Sequence, residues 1–153
     1  MSIDCATGEA VGVDAAPQGT TVGAVTVSEG ANGAPVVTVA TGAAPATELQ
    51  TADIVDGTGT EVAAGDTLTV DYCGVGLGSM TLFDSSWARG EPATFPLDGV
   101  IAGWQQGLPG AKAGGERLLI IPGELAYGEA PPPGILPNET LIFVVTLQSV
   151  NGA

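Results

Sequence analysis

The chain has no histidine, and among its 153 residues only Arg89, Lys112 and Arg117 are basic. The missing histidine excludes the Ser-His-Asp and Cys-His nucleophile systems outright. The scarcity of Lys and Arg argues against nucleic acid and anionic membrane surfaces as partners, because phosphates need cations. Residues 1–88 hold eleven acids and no Lys or Arg, a net of −11. Residues 89–153 hold six acids and three bases, which completes the net charge of −14. Such acidity favours solubility through self-repulsion. The two cysteines, Cys5 and Cys73, lack metal-ligand spacing, so zinc is not expected. Cysteine counting leaves open whether they pair or stand as two thiols. No run of about 18 or more apolar residues occurs, so no membrane-spanning segment is expected. Met1-Ser2-Ile3-Asp4-Cys5 lacks the basic and apolar regions of a secretory leader, and none is expected in this chain. Aromatics are only 5% of residues, so each one is worth placing.

What is present suits one domain with an extension. Residues 1–20 are small, polar and glycine-rich without a sustained period, and read as a flexible tail. Residues 21–47 form an N-terminal extension. Its two β-branched runs flank a Gly/Asn turn, a hairpin signal, and Gly42 to Pro45 read as a connector. From Glu48 onward the signal is denser. In "TLTVDYCGVG", Leu68, Val70 and Tyr72 alternate with Thr69, Asp71 and Cys73, which predicts a half-buried strand with Tyr72 inward. Cys73 then falls on the outer face, within reach of a cysteine from the tail. "LDGVIAGWQQGLPG", residues 97–110, predicts a short helix with Asp98 as its cap and Pro109-Gly110 as its end. Gly103 and Gly107 cost that helix about 1 kcal/mol each against Ala, so it needs support from a sheet. "ERLLIIP" and "TLIFVVTLQSV" read as strands, separated by a proline-rich loop. The sum is an α+β chain.

Gly74-Val75-Gly76-Leu77-Gly78 is no dinucleotide fingerprint, because no helix pattern follows it. It reads as a turn between strands. "LFDSSW" sets Asp84 among aromatics; an Asx turn is the plainest reading. Trp87 reads as packing on the loop that follows.

Taken alone, Tyr72, Phe83, Phe95, Trp104, Tyr127 and Phe143 would be ordinary core. Their order is more telling. "VDYCGV", "LFDSSW", "GVIAGWQQGLPG", "ERLLIIPGELAYG" and "PGILPNETLIFVVTL" follow one another with the gaps of one family. Over residues 48–150 the chain resembles the FKBP-type peptidyl-prolyl cis-trans isomerases, the tacrolimus- and rapamycin-binding family. The resemblance implies a half-open antiparallel sheet of five or six strands wrapped around one short helix, with the pocket between them. It implies an enzyme that needs no cofactor and no metal. The lack of Lys and Arg in residues 1–47, their Ala/Gly/Thr/Pro texture and the option of a Cys5–Cys73 pair suggest a bacterial, exported member, with a cytoplasmic home as the alternative.

Carried over residue by residue, Trp104 is the floor of the pocket. Tyr72, Phe83 and Phe143 are walls, and Asp84 is a polar edge beside Tyr72. The N–H of Ile101 and the hydroxyl of Tyr127 hold carbonyls. Phe95, Val100 and Ile135 complete the substrate contacts, and Leu136 flanks the entrance. The implied partners are proline-containing unfolded or flexible polypeptides, and macrolides such as tacrolimus or rapamycin, met by a monomer. Ala93 stands where an aromatic wall is usual, which opens one side. Leu125 and Pro132 replace a customary Tyr and His, and "PPPG", residues 131–134, stiffens the rim loop. A module that captures proline peptides with little turnover is the alternative function. A plain β-rich domain with an aromatic core is the third.

Overall fold

The computed structural model describes residues 2–5, 10–11, 20–29, 34–40, 42–79, 81–129 and 135–151. Its backbone is set by strands whose side chains alternate between two cores. In β7 (Thr67–Gly76), Leu68, Val70 and Tyr72 enter one core, while Cys73 and Val75 enter the other. The same holds for β10 (Glu116–Ile121) and β11 (Leu141–Val150). Leu119, Ile121, Leu141 and Phe143 face the first core, and Leu118, Ile120, Ile142 and Val144 face the second.

These strands belong to an antiparallel six-stranded sheet. Its path is β6 (Gln50–Val55), β10, β11, β7 and β8 (Leu82–Ser85), and β9 (Ala93–Pro96) also pairs with β7. Two short helices follow from the loops. α1 (Ser86–Arg89) is capped by Ser85, whose Oγ accepts the Ala88 N–H at 3.3 Å. α2 (Ala102–Gly107) lies on the first core and buries Gly103, Trp104 and Gly107. An antiparallel sheet packed on the short helix α2 is the α+β arrangement that the resemblance implied.

The N-terminal part differs from expectation. Residues 2–4, read as part of a flexible tail, form β1 (Ser2–Asp4). With β2 (Ala10–Val11), β3 (Thr20–Val22), β4 (Val25–Glu29) and β5 (Pro35–Val39) it makes a second antiparallel sheet, ordered β2-β1-β5-β4-β3. The β4–β5 pairing is the expected hairpin. Ile3, Val25, Val27, Val37 and Val39 from this sheet cover the outer face of the large one. Each such side chain contributes about 1.5–3 kcal/mol when fully buried. That burial is why three residues hold as a strand where their sequence carries no period. The two cysteines are joined, with an S–S distance of 2.02 Å, and both are fully buried.

Three local readings are corrected. Leu97–Gly99 form a 3-10 turn apart from α2, whose N-cap is Ile101, and Asp98 makes no capping hydrogen bond. Gly74 and Gly76 lie within β7, paired with Phe143 and Leu141, and the turn begins only at Leu77. A Cβ on Gly74 would lie 2.6 Å from the Phe83 ring and 2.9 Å from the Phe143 ring. Trp87 packs against the second core, where the two sheets meet. Residues 131–134 lie outside the described residues, and with them Pro132 and the expected stiffening.

Candidate active site

One end of the first core is open. A cavity of about 390 Å³ is lined by Tyr72, Phe83, Asp84, Phe95, Gly99, Val100, Ile101, Trp104, Tyr127 and Phe143. Nine of these ten were expected from the sequence; Gly99 was not. Strands β7, β8, β9 and β11 supply the walls, and α2 supplies Trp104 from below.

Trp104 is 4% exposed and organises the rings. It meets Tyr72, Phe95 and Phe143 edge to face, with centroids 5.6, 5.8 and 5.3 Å away. Tyr72–Phe95 and Phe83–Phe143 add two further edge contacts at 5.7 and 5.4 Å. Such pairs contribute about 0.5–1.5 kcal/mol each beyond their buried area, so the cup is stiff before anything enters it. The buried Nε1 of Trp104 has no hydrogen-bond partner among the described residues.

Phe83 and Asp84 are consecutive, yet both line the cavity. Simple alternation forbids this. The β7–β8 register resolves it: Gly74 pairs with Asp84 and Val75 with Leu82, so Phe83 is passed over. A bulge of this kind re-aims a side chain beside a site.

Asp84 does not form the expected local turn. Its Oδ2 accepts the Tyr72 hydroxyl at 2.5 Å, and its Oδ1 accepts Arg89 Nη1 at 2.6 Å. Arg89 Nη2 also donates to the Tyr72 hydroxyl at 3.1 Å, and its guanidinium lies 5.4 Å from the Tyr72 ring centre. Both ion-pair partners are close to half exposed, so the pair orients more than it stabilises. Burial first, and the Asp84 carboxylate second, push the Tyr72 hydroxyl's pKa above its ordinary 10.0, while Arg89 pulls it back. Tyr127 is raised as well, by burial and then by the charge of Asp84. Arg89 escaped the sequence reading. The signal available was its place five residues after Asp84, legible only once α1 turns it back.

Ser86 completes the edge. It is fully buried; its Oγ accepts the Tyr72 N–H at 2.7 Å and donates to Asp71 at 2.9 Å. It thereby fills the gap along β7 between its pairings with β8 and β9.

Ile135 and Leu136 stand apart from the cavity. Ile135 is buried in the first core. Leu136 is exposed and packs towards the turn at Gly78, lining a smaller hollow with Ala43, Pro45 and Leu77. The reason is Glu139, which is buried and accepts the N–H of Leu136 at 2.9 Å and of Ser79 at 2.6 Å, pinning the loop to the hairpin tip. Ala93 pairs with Val70 and packs on the core without lining the cavity, and Leu125 packs there too. A hollow of about 430 Å³ elsewhere is lined by Asp53, Asp56, Glu61, Lys112 and Arg117. It is larger, but without an aromatic ring it offers nothing to a proline.

An apolar aromatic cup with one ion-paired carboxylate at its edge is shaped to hold an apolar ring. The family model for FKBP-type peptidyl-prolyl cis-trans isomerases matches residues 59–148. The chain belongs to that family. It is 44% identical over 115 residues to a probable FK506-binding protein of Corynebacterium glutamicum, covering 75% of this chain and 97% of that one. It is 47% identical over 113 residues to an FK506-binding protein of Streptomyces anulatus, covering 71% of this chain and 91% of the other. Among solved structures, Escherichia coli FkpA superposes with a TM-score of 0.62 at 40% identity, over 81% of this chain and 51% of that one. AtFKBP13 does so with a TM-score of 0.58 at 37% identity, over 66% and 91%.

Proposed function

We propose that this isomerase turns X-Pro bonds of unfolded or flexible polypeptides with the proline ring seated on Trp104. The observation that carries this reading is the cup of five edge-to-face ring contacts around one cavity. The barrier to rotation is about 18–20 kcal/mol and comes from amide resonance. The planar amide carries separated charge, which water stabilises. A dry aromatic cup withholds that water, so the twisted amide loses less there. Complementarity to the twisted form adds to the effect. Each 1.36 kcal/mol removed is about tenfold in rate, so no acid, base or metal is required.

The walls Tyr72, Phe83, Phe95 and Phe143 grip the ring through apolar area, at about 25 cal/mol per Å². The N–H of Ile101 is at the α2 N-cap, outside the helix ladder, and serves the substrate carbonyl there. The Tyr127 hydroxyl, on a half-exposed side chain, serves another carbonyl and keeps its proton at neutral pH. Asp84 acts by orienting Tyr72. The same cup suits macrolides such as tacrolimus or rapamycin; two relatives are named for binding FK506, which is tacrolimus. The enzyme acts as a monomer. The buried disulfide supports an exported home, because such bonds persist in oxidising compartments.

The test follows cis-to-trans conversion of a Leu-Pro peptide. Catalysed turnover is expected, with kcat/KM lowered about 3–10-fold by Tyr127→Phe, in keeping with the loss of one hydrogen bond of about 1 kcal/mol, and at least as much by Asp84→Val, which frees both Tyr72 and Arg89. A folded wild type no faster than the spontaneous reaction would sink the enzyme reading. Peptide binding without acceleration would make the chain a capture module.

A further inference from the structure

Cys5, which follows β1, ties the second sheet covalently to a strand of the proline pocket. Its sulfur is bonded to Cys73, the neighbour of Tyr72. Its carbonyl accepts the Ser85 hydroxyl at 2.7 Å, and Ser85 is the neighbour of Asp84. Cys73 and Ser85 are direct partners in the β7–β8 register. On the other face of the same strand pair, the Tyr72 hydroxyl donates to Asp84 at 2.5 Å. Cys5 is itself fixed, with its N–H donated to Pro35 of β5 at 3.0 Å, and Cys5, Cys73 and Ser85 are all buried.

We propose that Cys5 is a positioning residue for the isomerase site, bolting β7 to β8 directly behind the Tyr72–Asp84 hydrogen bond. One link is covalent and one is a hydrogen bond, and they hold opposite strands. Spreading of the pair at this point would part Tyr72 from Asp84, because strands in register move together. Elsewhere the two strands are held by backbone pairing interrupted at the Phe83 bulge and by Ser86 on the Tyr72 N–H. The pocket edge therefore depends on the bolt behind it. This rests on the isomerase reading for its catalytic consequence and on geometry alone for its structural one.

The experiment reads both. The Tyr72 hydroxyl proton, held by Asp84, is followed by NMR as a slowly exchanging resonance, and kcat/KM is measured on the Leu-Pro peptide. Near-UV circular dichroism and urea unfolding establish that each variant is folded at the assay temperature. In Cys5→Ala/Cys73→Ala, exchange of that proton is expected to speed at least tenfold and kcat/KM to fall about 5–20-fold. Ser85→Ala keeps the disulfide and is expected to shift both in the same direction by about 2–4-fold. Should the double variant fail to fold, Ser85→Ala decides, its effect being required to persist in an Arg89→Ala background because Ser85 also caps the helix that carries Arg89.

A folded variant with both readouts within twofold of wild type overturns the proposal. So does a loss of activity with the hydroxyl resonance unchanged, since the effect would then bypass Tyr72. A changed resonance with unchanged kcat/KM overturns the positioning role. If wild type itself shows no turnover, the isomerase reading fails, and the resonance alone judges the bolt.

Discussion

Asp84 spends its two oxygens on two partners, Tyr72 and Arg89, and Arg89 returns a bond to Tyr72. The three side chains close a ring of contacts at the pocket edge, so none can turn alone. A consequence for titration follows. In the folded protein the Tyr72 and Tyr127 hydroxyls keep their protons above the ordinary value, burial being the first cause for each. In the unfolded chain they ionise near pH 10. The stability these groups confer is therefore complete below pH 10 and is lost as pH rises beyond it. The urea midpoint is expected to drop between pH 9 and pH 11, and to drop less in Tyr72→Phe. An equal drop in both proteins would contradict this account. The partner of Asp84 was visible in the sequence as an aromatic neighbourhood. Arg89 was not, because a guanidinium found by distance along the chain gives no direction until α1 supplies one.

Helix α2 shows why glycine looks costly in a sequence and is needed in a structure. Glycine in a helix loses about 1 kcal/mol against alanine. Yet a Cβ on Gly103 would lie 2.5 Å from Cγ2 of the buried Ile121, and one on Gly107 would lie 2.8 Å from Leu119. Close approach of α2 to β10 sets the height of Trp104. Gly103→Ala is expected to be destabilising by about 1–2 kcal/mol net, overpacking outweighing propensity. Urea unfolding checks the loss, and an increase in stability would show that α2 rides higher than described. The strands carried a further signal. "LLII" and "LIFVV" have no polar alternate, unlike a strand with one face in water. Continuous apolar runs imply a cover on both faces. The cover itself could not be read, because β1 and β2 are three and two residues long, too short to show a period.

The whole molecule is two stacked sheets, one building the pocket and the other closing its back. Ile135 and Leu136 show the limit of reading a site from motif order: the motif puts them beside the rim, and the buried Glu139 draws the loop away. The disulfide closes a loop with a sequence separation of 68. Chain entropy assigns such a closure about 4 kcal/mol. Cys5→Ala/Cys73→Ala is expected to lose about 2–4 kcal/mol in urea unfolding, with reductant changing the wild type but not the variant. A loss below about 0.5 kcal/mol would mean that packing between the sheets suffices.

The same bond decides how the molecule bears tension. A pull on the chain ahead of Cys5 passes through sulfur into Cys73 and so into β7, one residue from the Tyr72 wall. The segment between the cysteines cannot be drawn out while the bond is intact. At about 3.4 Å per residue, roughly 230 Å of chain stays locked behind it. An N-terminal tether would thus load β1 and its pairing with β5 first and then, through Cys5, the pocket wall directly.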